Sequence, residues 1–315
     1  MKKILITGGA GFIGSNLIKR LLHSTDLEIF CLDNFDPFYS VDLKRQNLSD
    51  VMAKSNFHLI VDDILNESTL YQFKNIDVII HLAAKPGVRN SIHQAKIYQE
   101  VNVIGTTCIL EYAKITGIKK VILASSSSIY GNNKNTPWKE SENPNPANPY
   151  AVSKVAAEML GRVYSRLHDI QVIALRFFTA YGPSQRPDLA ISTFFDCIYQ
   201  NKSVKVFGDG SALRDFTFID DIVAGIISAI DVKIDGFEEF NIGTEKNVSI
   251  NELLELIQKV CQLAANIEYA PAQKGEVPIT CADISKAKQW LNYEPQINLL
   301  EGLIRYNEWY KTKYK

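Results

Sequence analysis

The chain is 315 residues long, with 34 Lys and Arg against 35 Asp and Glu, a formal net charge of −1 and a pI of about 6.5. So balanced a charge gives no electrostatic support to nucleic-acid or anionic-membrane binding, and no apolar run approaches the ~20 residues of a membrane span. Five cysteines (Cys31, Cys108, Cys197, Cys261, Cys281) and five histidines (His23, His58, His81, His93, His168) lie scattered without C-x-x-C or clustered ligand spacing, which disfavours metal and disulfide frameworks.

A chain of this length buries a large core, as one large domain or two closely joined ones. Its first strand begins at Lys3, leaving no room for a signal peptide, so a soluble cytoplasmic enzyme is expected. Lys3 to Thr7 is a short apolar, β-prone run. Gly8-Gly9-Ala10-Gly11-Phe12-Ile13-Gly14 follows, and then an amphipathic stretch from Ser15 to Leu22. This is strand, tight turn, helix. Gly9, Gly11 and Gly14 fit the G-x-G-x-x-G dinucleotide pattern, while Gly8, Gly11 and Gly14 fit its G-x-x-G-x-x-G variant. Either way the glycines let backbone approach a pyrophosphate at a helix N-terminus, with Phe12 and Ile13 beside them. The competing reading is an ordinary βα turn. Against it, Glu28 to Asp33 forms a second strand ending in a carboxylate about twenty residues on. Asp33 suits a ribose diol and repels a 2′-phosphate, which favours NAD over NADP.

Further apolar runs follow at Phe57 to Val61, Asp77 to Leu82, Val121 to Ser125 and Gln171 to Arg176. They alternate with helical patterns, as parallel βαβ units do. Helices are expected from about Tyr98 to Ile115 and from Pro149 to Leu167, the second with Ala151, Val155, Met159 and Val163 on a stripe that reads as core. The stretch from Gly131 to Pro149 holds Pro137, Pro144, Pro146 and Pro149 among asparagines, and reads as an ordered surface excursion. Beyond about residue 178 the pattern becomes α+β with shorter pieces. The expected fold is α/β: a doubly wound parallel sheet of the Rossmann type with a smaller α+β substrate-binding C-terminal region. Residues 1–178 form the dinucleotide-binding part, with segments near 214–243 returning to it, and 179–315 mainly bind substrate.

Tyr150-Ala151-Val152-Ser153-Lys154 opens the second long helix, and residues four apart share a helix face. A phenol with a pKa of about 10 is a poor base at neutral pH. Lowering it to near 7 takes roughly 4 kcal/mol of differential stabilisation, within reach of the Lys154 ammonium plus a cationic nicotinamide ring. A Tyr-x-x-x-Lys pair by itself is equally an ordinary surface pair. Its context is what points to redox chemistry.

Six motifs in order carry a resemblance. Thr7 to Gly14, His81-Leu82-Ala83-Ala84, Asn102 within Val101 to Thr106, Ser125 to Gly131, Tyr150-x-x-x-Lys154 and Arg214 to Asp221 resemble the extended short-chain dehydrogenase/reductase family of nucleotide-sugar enzymes. Within it, Pro86-Gly87-Val88-Arg89, Arg176 to Pro183 and Arg186 to Ala190 are most similar to the UDP-glucuronate 4-epimerases. That group usually has Ala where Pro86 stands and Trp-Gly where Ser184-Gln185 stand. The resemblance implies that Tyr150 takes the proton of the sugar 4-hydroxyl while hydride leaves C4, with Lys154 also holding the nicotinamide ribose. Ser126 matches the family's hydroxyl partner, and its neighbours would serve if the register differs by one.

For the NAD cofactor the resemblance implies Asp63 and Ile64 at the adenine and Leu82, Ala83, Ala84 and Lys85 on the other flank, with Asn34 and Ser125 in the same set. Asn102 would orient the helix beside Lys154. For the substrate it implies Arg89 and Arg214 on the diphosphate, Phe207 stacked on uracil, and Ser127, Ser128 and Thr179 on a sugar carboxylate. Arg186 and Glu276 join that set. Surface ion pairs and a core phenylalanine are the plain alternatives for Arg89, Arg214 and Phe207.

Related 4,6-dehydratases carry Asp-Glu where Ser127-Ser128 stand, and serine supplies neither acid nor base of suitable pKa. Dehydration is therefore disfavoured. A 4-keto glucuronate can lose carbon dioxide, but hydroxyl donors at Ser127, Ser128 and Thr179 hold charge on the carboxylate that decarboxylation must disperse. The expected reaction is C4 epimerisation of UDP-glucuronate to UDP-galacturonate through a 4-keto intermediate, with hydride returned to the opposite face. The alternatives are a UDP-glucose or UDP-N-acetylglucosamine 4-epimerase, which usually has Asn where Thr179 stands, a decarboxylase, and a non-catalytic NAD-sensing module. Such modules tend to lose the Tyr or the Lys. The resemblance also implies a homodimer packed through the Tyr98 to Ile115 and Pro149 to Leu167 helices.

Overall fold

Seven short runs meet in one parallel sheet in the computed structural model, which describes residues 1–272, 275 and 277–313. Its strands are β1 (Lys2–Thr7), β2 (Leu27–Asp33), β3 (Phe57–Val61), β4 (Val78–His81), β5 (Lys120–Ser126), β6 (Gln171–Phe177) and β7 (Phe237–Ile242). They lie in the order β7-β6-β5-β4-β1-β2-β3. Alternate residues feed two cores. Ile4, Ile6, Ile80, Ile122 and Ile173 pack on one face, and Leu5, Ile79, Val121, Leu123 and Val172 on the other. Covering both faces is why these strands are continuous apolar runs. The order reverses between β1 and β4, and ligands bind in such sheets outside the carboxyl ends at that switch.

Helix α1 (Phe12–Leu21) starts directly after the glycine turn, with Gly11 at its N-cap and no side chain bonding its first N–H groups. Gly8 adopts φ +71°, and a Cβ there would lie 2.7 Å from Ala83 N; a Cβ on Gly14 would lie 2.5 Å from the Gly8 carbonyl oxygen. Glycine is required at both. Helix α2 (Val41–Leu48) follows β2 and is N-capped by Ser40.

The helix expected from Tyr98 to Ile115 is interrupted. Ala95–Gln99 passes into a π-turn, Glu100–Ile104, before α3 (Gly105–Thr116). Helix α4 (Pro149–His168) begins with proline in its first turn, and Asn148 Oδ1 caps it by accepting from Ala151 N at 2.9 Å. Its apolar stripe corrects the sequence reading in part: Ala151 is buried and Val155 packs against the core, but the other two members do not. Met159 and Val163 are 42% and 50% exposed, whereas the buried face carries Ala151, Ser153, Lys154, Ala157, Glu158, Gly161 and Ser165. The reason is close approach to the sheet: a Cβ on Gly161 would lie 2.9 Å from Val172 and 3.0 Å from Leu123. No side chain fits at Gly161, and Met159 and Val163 face outward, while Val155 and Leu160 pack partly buried against the core.

Helix α5 (Ile219–Asp231) packs against α1 and the sheet, and β7 pairs with β6 over its whole length. The excursion after β5 is anchored by Trp138, fully buried, whose Nε1 donates to Asn133 O at 3.1 Å. Among the described residues no helix is long and apolar enough to cross a membrane.

Candidate active site

A cleft of about 620 Å³ opens at the carboxyl ends of β1, β2, β4 and β5, a size that suits a small-molecule site. Gly8, Gly11, Phe12, Ile13 and Gly14 line its floor. Asp33, Asn34, Asp63 and Ile64 line one end, and Leu82 to Lys85 the wall from β4. Ser125, Ser126, Ser127, Tyr150, Lys154, Thr179 and Arg186 line the other end. Twenty residues singled out from sequence thus converge on one cavity.

At the first end, Asp33 is buried with both oxygens bonded to backbone: Oδ2 accepts from Ala10 N at 2.9 Å and Oδ1 from Phe35 N at 2.8 Å. Burial pushes its carboxyl upward, and the charge of Lys44 opposes this. Lys44 is itself buried; burial lowers its ammonium and Asp33 opposes that in turn. Sequence reading missed Lys44 and Tyr39, which both line the cleft with the Lys44 Nζ 4.9 Å from the Tyr39 ring centroid. The sole sequence signal was a lysine eleven residues beyond Asp33 in a polar helix. Asp63 Oδ2 accepts from Asn34 Nδ2 at 2.6 Å, and Lys85 Nζ pairs with Asp36 at 2.6 Å.

Asn102 does not line the cleft. Seated in the π-turn, it accepts from Lys85 N at 2.7 Å and donates to Lys85 O at 3.1 Å and to Ser153 Oγ at 2.9 Å. It thereby ties the β4 wall to the first turn of α4. A π-turn at such a position re-aims one side chain without ending the helix.

At the second end, Tyr150 and Ser126 line the cleft together, and the Ser126 hydroxyl acts on the phenol. Burial raises the phenol pKa, while the Ser126 bond and the positive charge of Arg186 oppose the rise. The sequence reading assigned that charge to Lys154. In the structure Lys154 Nζ is 5.8 Å from the Tyr150 ring centroid and donates to Ala124 O at 2.7 Å. Burial brings its ammonium down to about 8, and the Glu158 carboxylate opposes this. Arg186 is held by a fork from Asp188, Nε to Oδ1 at 2.9 Å and Nη2 to Oδ2 at 3.0 Å, and lies 5.4 Å from the Phe38 ring centroid. Phe38 also lines the cleft and carried no sequence signal.

Four other candidates do not line this cavity. Ser128 bonds through its backbone N to Ser126 Oγ at 3.2 Å, and its own Oγ is buried without a hydrogen-bond partner. Arg89 lies 4.8 Å from the Phe207 ring centroid, so those two meet each other. Arg214 donates through Nη1 to Leu213 O at 2.9 Å on a short strand paired with Val248. Its neighbour Asp215 is fully buried and collects the N–H groups of Thr244 at 2.9 Å and Ala282 at 3.1 Å, a structural hub that burial holds up at about 6. Glu276 lies outside the described residues. Among those described, no three His, Cys, Asp or Glu side chains converge as metal ligands.

Residues 5–306 match the GDP-mannose 4,6 dehydratase family. The UDP-glucuronate 4-epimerase of Thermodesulfobacterium geofontis is 40% identical over 311 residues, 98% of this chain and 95% of that protein. The UDP-glucuronic acid 4-epimerase of Bacillus cereus, crystallised with UDP-glucuronic acid and NAD, is 37% identical with a TM-score of 0.95, over 99% of this chain and 100% of that one. DesIV, a dTDP-glucose 4,6-dehydratase of Streptomyces venezuelae solved with NAD and TYD bound, is 29% identical with a TM-score of 0.93, over 98% and 97%. With the glycine turn, the strand-end serines and the Tyr150 and Lys154 pair on one cleft, the chain belongs to this family of extended short-chain dehydrogenases/reductases.

Proposed function

We propose that the chain is an NAD-dependent nucleotide-sugar 4-epimerase that interconverts UDP-glucuronate and UDP-galacturonate. The observation that carries this reading is the makeup of the reacting end: Tyr150 faces Ser126, while Ser127 and Thr179, both hydroxyls, line the same cavity. The reading has further support in the relatives, among which the B. cereus enzyme holds UDP-glucuronic acid and NAD.

NAD fits the cleft. The uncapped start of α1, where Cβ atoms at Gly8 and Gly14 would fill the cradle, suits a pyrophosphate, and the Asp33 carboxylate suits a ribose diol. When bound, NAD supplies reversible two-electron oxidation at the sugar C4. Tyr150 takes the 4-hydroxyl proton as the ketone forms and returns it on reduction, so the cycle has no net proton change. Ser126 orients that hydroxyl, Arg186 lends the phenol positive charge, and Lys154 holds the nicotinamide ribose. Ser127 and Thr179 hold the sugar carboxylate, with Arg186 beside them and Ser128 able to join once its buried hydroxyl finds a partner. Asp63, Ile64, Asn34 and Leu82 to Lys85 flank the adenosine, and Arg89, Arg214 and Phe207 receive the UDP. In this reading residues 1–178 and the 214–243 segment serve NAD, and most of 179–315 serves the sugar nucleotide.

Product analysis by NMR with UDP-glucuronate, UDP-glucose and UDP-N-acetylglucosamine tests the proposal; UDP-galacturonate should dominate, and turnover of neutral sugars alone would overturn the uronate assignment. Thr179 lines the cavity from a short strand, its N–H bonded to Asp215 O at 3.0 Å. Charge-assisted hydrogen bonds contribute ~1.5–3 kcal/mol. Thr179→Ala should accordingly lower kcat/KM for UDP-glucuronate by roughly 10- to 100-fold and for UDP-glucose far less. Equal losses on both would make Thr179 structural.

Cofactor choice gives a second test. Asp33→Ala removes the carboxylate but leaves Lys44, a cation suited to a 2′-phosphate. The wild type should prefer NAD over NADP and the variant should narrow or reverse the preference, measured by titrating both cofactors into stripped protein. Equal wild-type affinities would mean Asp33 does not meet the ribose.

The outward stripe of α4, Val152, Met159, Val163 and Leu167, together with Ile104 and Ile115, supports a homodimer through these helices. All five cysteines are free, as suits a protein of the reducing cytoplasm.

A further inference from the structure

We propose that Glu158, gripped by Arg176, is a positioning residue for Lys154: the ion pair seats a fixed negative charge one helical turn behind the lysine ammonium and pins the strand end that faces it. This rests on the reading of Tyr150 and Lys154 as the reacting pair.

Glu158 follows Lys154 by four residues on α4, so the two share the face turned to β5 and β6. The side chains of Glu158 and Arg176 are 1% and 3% exposed. Arg176 grips both carboxylate oxygens, Nε to Oε1 at 3.0 Å and Nη2 to Oε2 at 2.8 Å. Its Nη1 donates to Tyr130 Oη at 2.9 Å and to Glu140 O at 3.1 Å, and Tyr130 donates onward to Asn241 Oδ1 at 2.7 Å. Ser125 Oγ donates to Glu158 Oε1. Two consecutive residues at the end of β5 are thus held from α4: the Ala124 carbonyl by Lys154 and the Ser125 hydroxyl by Glu158.

A buried ion pair is weak evidence for stability, because well-packed apolar residues often replace it at no loss. Its place beside Lys154 gives it another use. An ammonium buried without a counter-charge gives up its proton, and a free carboxylate four residues away would draw it into direct contact. Arg176 occupies both Glu158 oxygens, so Lys154 feels the charge and keeps its bond to Ala124. The titratable and charged groups facing the ammonium are Tyr150 and Glu158 on its own helix and His81 at the end of β4, with Arg176 on β6 behind Glu158. His81 is neutral, since burial lowers its pKa to about 3. Glu158 is therefore the source of negative charge.

The test is the titration of the Lys154 side chain in NAD-loaded protein carrying 13Cε-labelled lysine, its resonance assigned by its loss in Lys154→Met. Glu158→Gln keeps the shape and removes the charge. It should lower the titration midpoint by roughly one unit or more, and the pH above which turnover of UDP-glucuronate falls should drop with it. Should Glu158→Gln not fold, the double variant Glu158→Met with Arg176→Met leaves neither charge buried alone and should show a smaller fall in the same direction, because the Arg176 cation is gone as well. An unchanged midpoint in the folded variant overturns the proposal and reduces the pair to packing. A lowered midpoint in a protein that turns over none of the sugar nucleotides upholds the positioning role and overturns the epimerase reading instead.

Discussion

Tyr150→Phe should cut turnover of UDP-glucuronate by roughly 10²- to 10⁴-fold, the range for loss of a general acid–base group, while NAD stays bound. The substitution removes one oxygen and little else. The ring remains edge-on to Tyr98, at 6.3 Å between centroids, and the α4 cap at Asn148 is untouched. What disappears is the group beside Ser126 in the cleft proposed to take and return the proton. Burial holds the phenol above its ordinary value, with Ser126 and Arg186 opposing, so turnover in the wild type should climb as pH rises through the phenol's titration. In the variant that limb should vanish from whatever activity remains. Product NMR measures the turnover and nicotinamide absorbance the bound cofactor. Near-normal turnover with an intact limb would remove Tyr150 from the chemistry.

Lys154→Met should lose most turnover and yet make the protein more stable at neutral pH. Burial brings the Lys154 ammonium from 10.5 down to about 8. Between those two values the folded protein binds fewer protons than the unfolded chain, so the lysine's contribution to stability rises with pH across that window. It is greatest above 10.5 and is lost as pH falls through about 8. Below that the charged side chain costs ~3 kcal/mol relative to its unfolded state, offset in part by the bond to Ala124 O. Methionine has similar length and no charge to desolvate. In NAD-free protein it should therefore raise the unfolding free energy at pH 7 by on the order of 1–3 kcal/mol, and the wild-type rise between about pH 8 and 10.5 should flatten. Urea unfolding at pH 7 and pH 10 reads both effects. A variant less stable than wild type at pH 7 would mean that Lys154 contributes more through its bonds than burial takes away. A stability gain with lost activity is the expected mark of a group kept for function.

The sequence by itself determined most strands of the sheet and the glycine turn. Strands covered on both faces must be apolar throughout, so the runs at Ile4, Ile29, Ile79, Ile122 and Ile173 are visible without a fold. The glycine turn is equally local, because the steric demand at Gly8 and Gly14 comes from a few neighbouring residues and one adjacent strand. Tyr150 and Lys154 are one helical turn apart, and spacing alone puts them on one face. Only the tertiary structure decided the strand order and everything that depends on it. β7 carries Glu238 and Glu239 and sits at the sheet edge, so neither periodicity nor hydropathy marks it as a partner of β6. Lys44 comes against Asp33, Arg186 against Tyr150 and Arg176 against Glu158 across 11, 36 and 18 residues of chain. Met159 and Val163 of α4 point outward, and at Gly161 β5 and β6 leave no room for a side chain. These contacts arise from which strand lies beside which and how closely a helix can approach, and no local pattern in the chain encodes either.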